Sequence, residues 1–156
     1  ERGMWVSVDV RNAFPSVPVG RLLTVVRGYF PDDRLLGFLK IVTAPGKRPG
    51  LRQGSPLSPL LLNLYLHHLL DRKWRALYPT IPLLRFADDI LVLCRTADEA
   101  GDAYAALSQL VRAAGFELKE TVEAAIRSVA KGEPVKWMGY CVRGTPNGLA
   151  YTVTPD

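Results

Sequence analysis

Residues 83–93, LLRFADDILVL, limit the fold more than any other stretch of the chain. Two runs of strand-forming residues flank Ala87, Asp88 and Asp89, so the segment reads as a tight β-hairpin with its carboxylates at or beside the turn. Asp is a common turn residue, and an isolated ADD in a hairpin is more often a turn than a site. The same carboxylates could instead hold a metal ion, provided that distant segments supply the rest of its shell.

The rest of the pattern shows what could reach them. WVSVDV (5–10) alternates, with Val6, Val8 and Val10 on one face and Ser7 and Asp9 on the other, which predicts a half-buried strand ending near a carboxylate. Val19, Leu22, Leu23 and Val26 recur at helical spacing and predict a helix from Pro18 to about Tyr29. A second short helix is expected from Pro31, with Asp32 and Asp33 in its first turn. SPLSPLLLNLYLHHLLDRKWRALYP then reads as one long helix, capped by Ser55, with Pro56 at its first position and Pro79 marking its end. It is apolar nearly all round, so it should be buried. His67 and His68 lie within it without a third ligand in sequence and read as structural.

Beyond the hairpin, Thr96 and Glu99 form a capping box. The helix they open carries Ala100, Ala103, Tyr104, Leu107, Leu110 and Val111 on one stripe and closes at Gly115. FEL (116–118), VKWMGYCV (135–142) and LAYTV (149–153) are the remaining strand candidates. The order strand, helices, two strands, helix, strand predicts an α+β, ferredoxin-like split βαβ fold, with an antiparallel sheet and helices on one face. The other face is left for a cleft.

At 156 residues one domain is expected. No apolar run is long enough to span a membrane. Cys94 and Cys141 lack CxxC spacing and read as buried reduced thiols, which fits a cytoplasmic setting. The net charge of +5 is compatible with a polyanionic partner without requiring one. Lys47, Arg48 and Arg52 share a Gly/Pro-rich loop, and Arg72, Lys73 and Arg75 fall late in the long helix, where they complement its dipole. The chain opens directly into strand-like sequence, which suggests a piece of something longer.

In a ferredoxin-like sheet the first strand and the central hairpin are neighbours, so Asp9 should meet Asp88 and Asp89 on the non-core face. Three carboxylates gathered there raise one another's pKa or need a cation. Hard oxygen donors in a wet cleft favour Mg²⁺, which keeps waters and takes substrate phosphates into its shell. A pair of such ions about 4 Å apart clamps the attacking and leaving oxygens of a phosphoryl transfer.

VSVDVRNAFPSVP, LRQGSPLSPLLLNLYL, RFADD and WMGY resemble, in order, the palm motifs of reverse transcriptases, most closely the bacterial group II intron type and its relatives in mobile elements. The resemblance covers roughly residues 4–142. It implies that Asp9, Asp88 and Asp89 are catalytic and, with the backbone carbonyl of Val10, bind two Mg²⁺ ions, for which Mn²⁺ could substitute. It places Ala13 and Phe14 at the nucleotide, Phe14 as the ring that excludes a 2′-hydroxyl. Gln53 and Gly54 match the nucleotide-contacting loop, Arg52 beside them would meet template or primer, and Trp137, Met138, Gly139 and Tyr140 match the block that grips the primer. The implied partners are an RNA template, a DNA or RNA primer and deoxynucleoside triphosphates, with no membrane.

The chain departs from the family at the segment after Gly115. Val122 stands where relatives carry a Lys thought to protonate pyrophosphate, and Lys119 could replace it only in a shifted register. Fingers and thumb fit in neither the leading nor the trailing residues, so the palm of a larger enzyme is expected. The alternative reading is an RNA-binding, maturase-like module whose catalysis is dispensable to intron splicing. A nucleotide cyclase is disfavoured because the hairpin lacks that family's Gly-Gly-acid-acid-Phe pattern. An RNA-dependent RNA polymerase is disfavoured by Phe14.

Overall fold

The computed structural model describes residues 2–43 and 50–153. Strand β1 (Met4–Asp9) leads into a helical turn, α1 (Ala13–Ser16), and then helices α2 (Val19–Tyr29) and α3 (Asp33–Val42). Helix α4 (Ser58–Leu66) continues through a π-turn (His67–Asp71) into α5 (Arg72–Leu77). The hairpin β2 (Leu83–Phe86) and β3 (Asp89–Cys94) precedes α6 (Ala97–Ala113), the short turn α7 (Val122–Ala125) and β4 (Ile126–Ser128). Three last strands, β5 (Val135–Trp137), β6 (Tyr140–Thr145) and β7 (Gly148–Val153), complete the fold.

The main sheet has the order β2-β3-β1-β4 with antiparallel neighbours throughout. This is the split βαβ arrangement: β1 and β2 are separated by β3, while β3 and β4 are separated by β1. Period-two alternation fixes which side each residue takes. Val6 and Val8 of β1, Val10 just after it, and Ile90, Val92 and Cys94 of β3 join one buried core with Leu22 and Val26 of α2, Leu62 and Tyr65 of α4, and Leu107 and Val111 of α6. Helices therefore cover one face, as the sequence predicts. Among the described residues, no helix is long and apolar enough to cross a membrane.

The opposite face is only partly open. Trp5, Leu91 and Leu93 pack there against Val129, Val135 and Trp137, forming a second small core. Strands β5, β6 and β7 thus form a separate three-stranded sheet over the near end of this face, not an extension of the first sheet. Ser7 Oγ donates to the Lys136 carbonyl at 3.1 Å. The expected cleft is the remainder of the face beyond Ser7.

Several boundaries differ from expectation. Phe116–Leu118 is not a strand: Leu118 makes an isolated bridge to Val10, and Phe116 is buried edge-on to Tyr65. The fourth strand is instead Ile126–Ser128, too short to carry a readable alternation. The second helix begins at Asp33, because the Asp32 carboxylate accepts from the Arg34 and Leu35 N–H groups and so caps it. The long helix begins at Ser58 and not at Ser55; Ser58 Oγ donates back to the Arg52 carbonyl at 2.6 Å. Thr96 caps α6 as expected, accepting from the Glu99 N–H at 3.1 Å. Cys94 is buried, its thiol pushed up to about 11 by desolvation, whereas Cys141 is only half-buried. Lys47 and Arg48 lie outside the described residues.

The π-turn has a sequence cause. Leu62, Leu66, Leu70 and Trp74 are all buried and step by four residues. In a regular α-helix each such step over-rotates by about 40°, which would carry Trp74 off the core. A wider π-turn absorbs the drift. His67 and His68 sit in this turn, against Asp71 and the Tyr29 hydroxyl respectively, and are structural. Tyr65 donates its hydroxyl to the Ala114 carbonyl at 2.8 Å and so ties α4 to the end of α6. Leu62→Ala is expected to cost about 2–5 kcal/mol and Tyr65→Phe about 1 kcal/mol. Urea unfolding followed by tryptophan fluorescence checks that ranking.

Candidate active site

The register of the central strands sets the site. In the β1–β3 pair, Asp9 stands directly opposite Asp89. Opposed residues of an antiparallel pair share a face, with Cβ atoms about 4.5–5.5 Å apart. The face is the one not covered by helices, where Trp5/Leu93, Ser7/Leu91 and Asp9/Asp89 form successive rows. The second sheet takes the first two rows, leaving the carboxylate row outside its core.

Asp88 belongs to the turn itself. Phe86 pairs with Asp89, so Ala87 and Asp88 form a two-residue connection. Ala87 has φ of 52°, a left-handed conformation that an L side chain adopts at a cost. The Asp88 carbonyl accepts from the Val10 N–H at 3.1 Å, which fastens the turn to the end of β1. Val10 therefore lies at the site through its backbone, while its side chain is in the core. The sequence left open whether Asp89 was merely the turn residue; the structure makes Asp88 the turn residue and Asp89 the strand residue facing Asp9.

The electrostatics follow from this gathering. Burial raises the Asp88 pKa, and the charge of Asp9 raises it further; its own backbone hydrogen bond and Lys119 oppose the shift. Burial also raises Asp89, followed by the charges of Asp9, Asp88 and Glu120, with Lys119 opposing. Lys119 Nζ lies 3.3 Å from Asp9 Oδ2, which brings the lysine beside the carboxylates. Val122 opens α7 three residues later.

Glu120 escaped the sequence reading. Its Oε2 accepts from the Asp9 backbone N–H at 2.7 Å, and its carbonyl accepts from the Tyr104 hydroxyl at 2.8 Å. It lies in an irregular segment without periodicity, so no sequence signal placed it. Arg85, quoted in the RFADD motif but given no role, reaches the Ala87 carbonyl.

The nucleotide-loop residues come to one place. Asn12, at φ of 48°, turns the chain from β1 into α1. Ala13 is buried, so only its backbone could face a ligand, and Phe14 is half-buried against the core. The Phe14 carbonyl accepts from the Leu51 N–H at 2.7 Å, which docks the loop carrying exposed Arg52, Gln53 and Gly54 onto α1. Gly50 makes this docking possible: at φ of 81°, any Cβ would collide with the Pro15 carbonyl.

WMGY forms a hairpin and not a continuous strand. Met138 and Gly139 take φ of 51° and 76°, as the two centres of a type I′ turn require. Trp137 is half-buried in the second core, and its Nε1 has no hydrogen-bond partner among the described residues. Tyr140 is exposed and stands edge-on to Tyr151, with ring centroids 5.9 Å apart.

A raised carboxylate pKa means that the ionised form is less favoured folded than unfolded. The ionised Asp88 therefore destabilises the fold at neutral pH, and the penalty is relieved as pH falls through the raised value. Asp88→Asn should raise the melting temperature of the metal-free protein by about 1–3 °C at neutral pH. The gain should vanish on acidification, as a pH series of thermal melts would record.

Comparison with known proteins extends these observations. The model for the family described as "Reverse transcriptase (RNA-dependent DNA polymerase)" matches residues 2–142. The "Retrovirus-related Pol polyprotein from type-1 retrotransposable element R2" of Popillia japonica is 28% identical over 158 residues, covering 83% of this chain and 26% of that protein. An "Uncharacterized 91 kDa protein in cob intron" of Schizosaccharomyces pombe is 28% identical over 74 residues, covering 42% of this chain and 9% of that protein. The chain thus spans about a quarter or less of the curated relatives it matches. Apo telomerase from Candida tropicalis shares the fold with a TM-score of 0.72 at 11% identity, over 92% of this chain and 32% of that one. The same telomerase bound to a TWJ fragment of telomeric RNA gives 0.69 at 12% identity, over 90% of this chain and 28% of that one. These matches do not single out the bacterial group II intron branch.

Proposed function

The chain belongs to the reverse transcriptase family, and from that premise we propose that it is the palm of an RNA-directed DNA polymerase within a longer protein. The observation that carries this reading is the Asp9/Asp89 pair beside Asp88, on the half of the sheet face that the second sheet leaves outside its core.

Among the described residues, no group of three or more His, Cys, Asp or Glu side chains is already gathered as a metal cage. The donor set nevertheless fits Mg²⁺, or Mn²⁺ in its place. These are hard carboxylate oxygens, those of Asp88 and Asp89 with raised proton affinity, too few to complete a shell without water and substrate phosphates. When bound, a pair of such ions would activate the primer 3′-hydroxyl and stabilise the charge that develops as pyrophosphate leaves.

The chain's own residues supply the rest. Asp9, Asp88, Asp89 and the Val10 carbonyl would hold the ions, with Glu120 fixing the backbone N–H of Asp9. Lys119 is the cation beside the carboxylates, and we assign to it the proton for the departing pyrophosphate. Phe14 would stand against the sugar and disfavour a 2′-hydroxyl, while the backbone of Ala13 and the loop of Gln53 and Gly54 would seat the incoming deoxynucleoside triphosphate. Arg52 and the hairpin Trp137–Tyr140 would contact the template and primer. The RNA template, primer and triphosphates are thereby assigned from chemistry and family together.

Primer extension on an RNA template by the full-length protein is the test. Asp88→Ala should lower the Mg²⁺-dependent rate by at least about a thousandfold, the loss expected when several kcal/mol of charge stabilisation are removed. Equal rates in the two proteins would sink the reading. In the same assay Phe14→Ala should raise ribonucleotide incorporation relative to deoxynucleotide incorporation.

A further inference from the structure

We propose that Arg85 is a positioning residue that sets the catalytic turn, acting through the Ala87 carbonyl and anchored by Asp71 and Asn63. The inference rests on the reading of Asp9, Asp88 and Asp89 as metal ligands.

Four hydrogen bonds fix this side chain, which is only 7% exposed. Nε donates to Asp71 Oδ1 at 2.8 Å and Nη2 to Asp71 Oδ2 at 2.6 Å, a two-point fork that only a guanidinium makes. Nη1 donates to Asn63 Oδ1 at 2.7 Å and to the Ala87 carbonyl at 2.8 Å. Three of the four bonds anchor the guanidinium to the helix, and the fourth reaches the residue before Asp88.

That residue is where the turn needs support. Ala87 holds a left-handed φ of 52° without the freedom of a glycine, so the conformation persists only if its surroundings impose it. The peptide that follows Ala87 orients Asp88, whose carbonyl in turn meets the Val10 N–H. A rotation of the Ala87–Asp88 peptide would therefore move Asp88 against Asp9 and Asp89. Arg85 opposes that rotation from the helix side of the hairpin.

The π-turn takes part in the arrangement. Asp71 is its last residue, and His67 Nδ1 lies 3.4 Å from Asp71 Oδ2, one turn earlier. The segment that keeps Trp74 in the core also presents Asp71 to Arg85. Lysine at position 85 would keep the charge but lose the fork, and with it the fixed direction of the donor aimed at Ala87.

The test measures Mn²⁺ binding to the full-length protein by isothermal titration calorimetry, beside the Mg²⁺ concentration giving half-maximal primer extension. Thermal melts report folding. Wild type should bind Mn²⁺ and Asp88→Ala should not. Arg85→Lys and the isosteric Asp71→Asn should weaken Mn²⁺ binding by about tenfold and raise the Mg²⁺ requirement by a similar factor, an estimate on the scale seen for residues supporting metal ligands. Asn63→Ala, at an exposed position, should give a smaller shift in the same direction and serves if the other variants do not fold. Folded variants that melt earlier but keep wild-type Mn²⁺ affinity and Mg²⁺ requirement would reduce Arg85 to a structural strut and overturn the proposal. Loss of Asp88-dependent Mn²⁺ binding in the wild type itself would instead overturn the metal reading, and this inference with it.

Discussion

The pairing of β1 with β3 is the constraint on which the rest depends. Its register runs without a break from Met4↔Cys94 to Asp9↔Asp89. Because side chains alternate, a slip of one residue would send Asp9 toward the helices and bring Val8 or Val10 to the open face. The valines forbid it, since each is buried on the helix side. The position of an acidic residue is thus enforced by apolar neighbours one residue away, and hydrophobic burial supplies the free energy that holds like charges together.

The second sheet makes the same face serve two purposes. Leu91 and Leu93 need cover, and Val129, Val135 and Trp137 provide it. Asp89, on the same strand and the same face, needs water and a counter-ion. The change from covered to polar occurs between Leu91 and Asp89, one alternation step along β3. The hairpin resembling a primer grip therefore has a structural duty as well, because Trp137 closes the small core whose edge borders the carboxylates. Cations from the chain contribute too: Lys119 offsets part of the repulsion, at a position fixed by its backbone N–H donating to the Asp9 carbonyl at 2.9 Å.

Much of this was legible in the sequence, for identifiable reasons. The alternation of WVSVDV placed Asp9 on the non-core face, and the flanking apolar runs placed Asp88 and Asp89 at a hairpin. Both signals are local and strong. The fourth strand was missed because three residues carry no usable period, and Phe116–Leu118 looked like a strand because an apolar residue that packs singly on Tyr65 has the same composition. Ser58, not Ser55, opens the helix because its hydroxyl is drawn to the Arg52 carbonyl, a loop contact that no cap rule reports. Glu120 and Arg85 act through backbone atoms of other residues, and such partners leave no trace in spacing.

The π-turn has a consequence for chain length. Between Leu66 and Arg72 the helix satisfies two demands at once, the burial of Leu70 and Trp74 and the presentation of Asp71 to Arg85. Winding the same residues as a regular α-helix would turn everything after the segment by roughly 100° and carry Trp74 off the core. The wide turn thus holds about one residue more than regular winding would, and losing one would let the helix regularise with its downstream face kept. An added residue has no such outlet, so the segment has room for one residue fewer and none for one more.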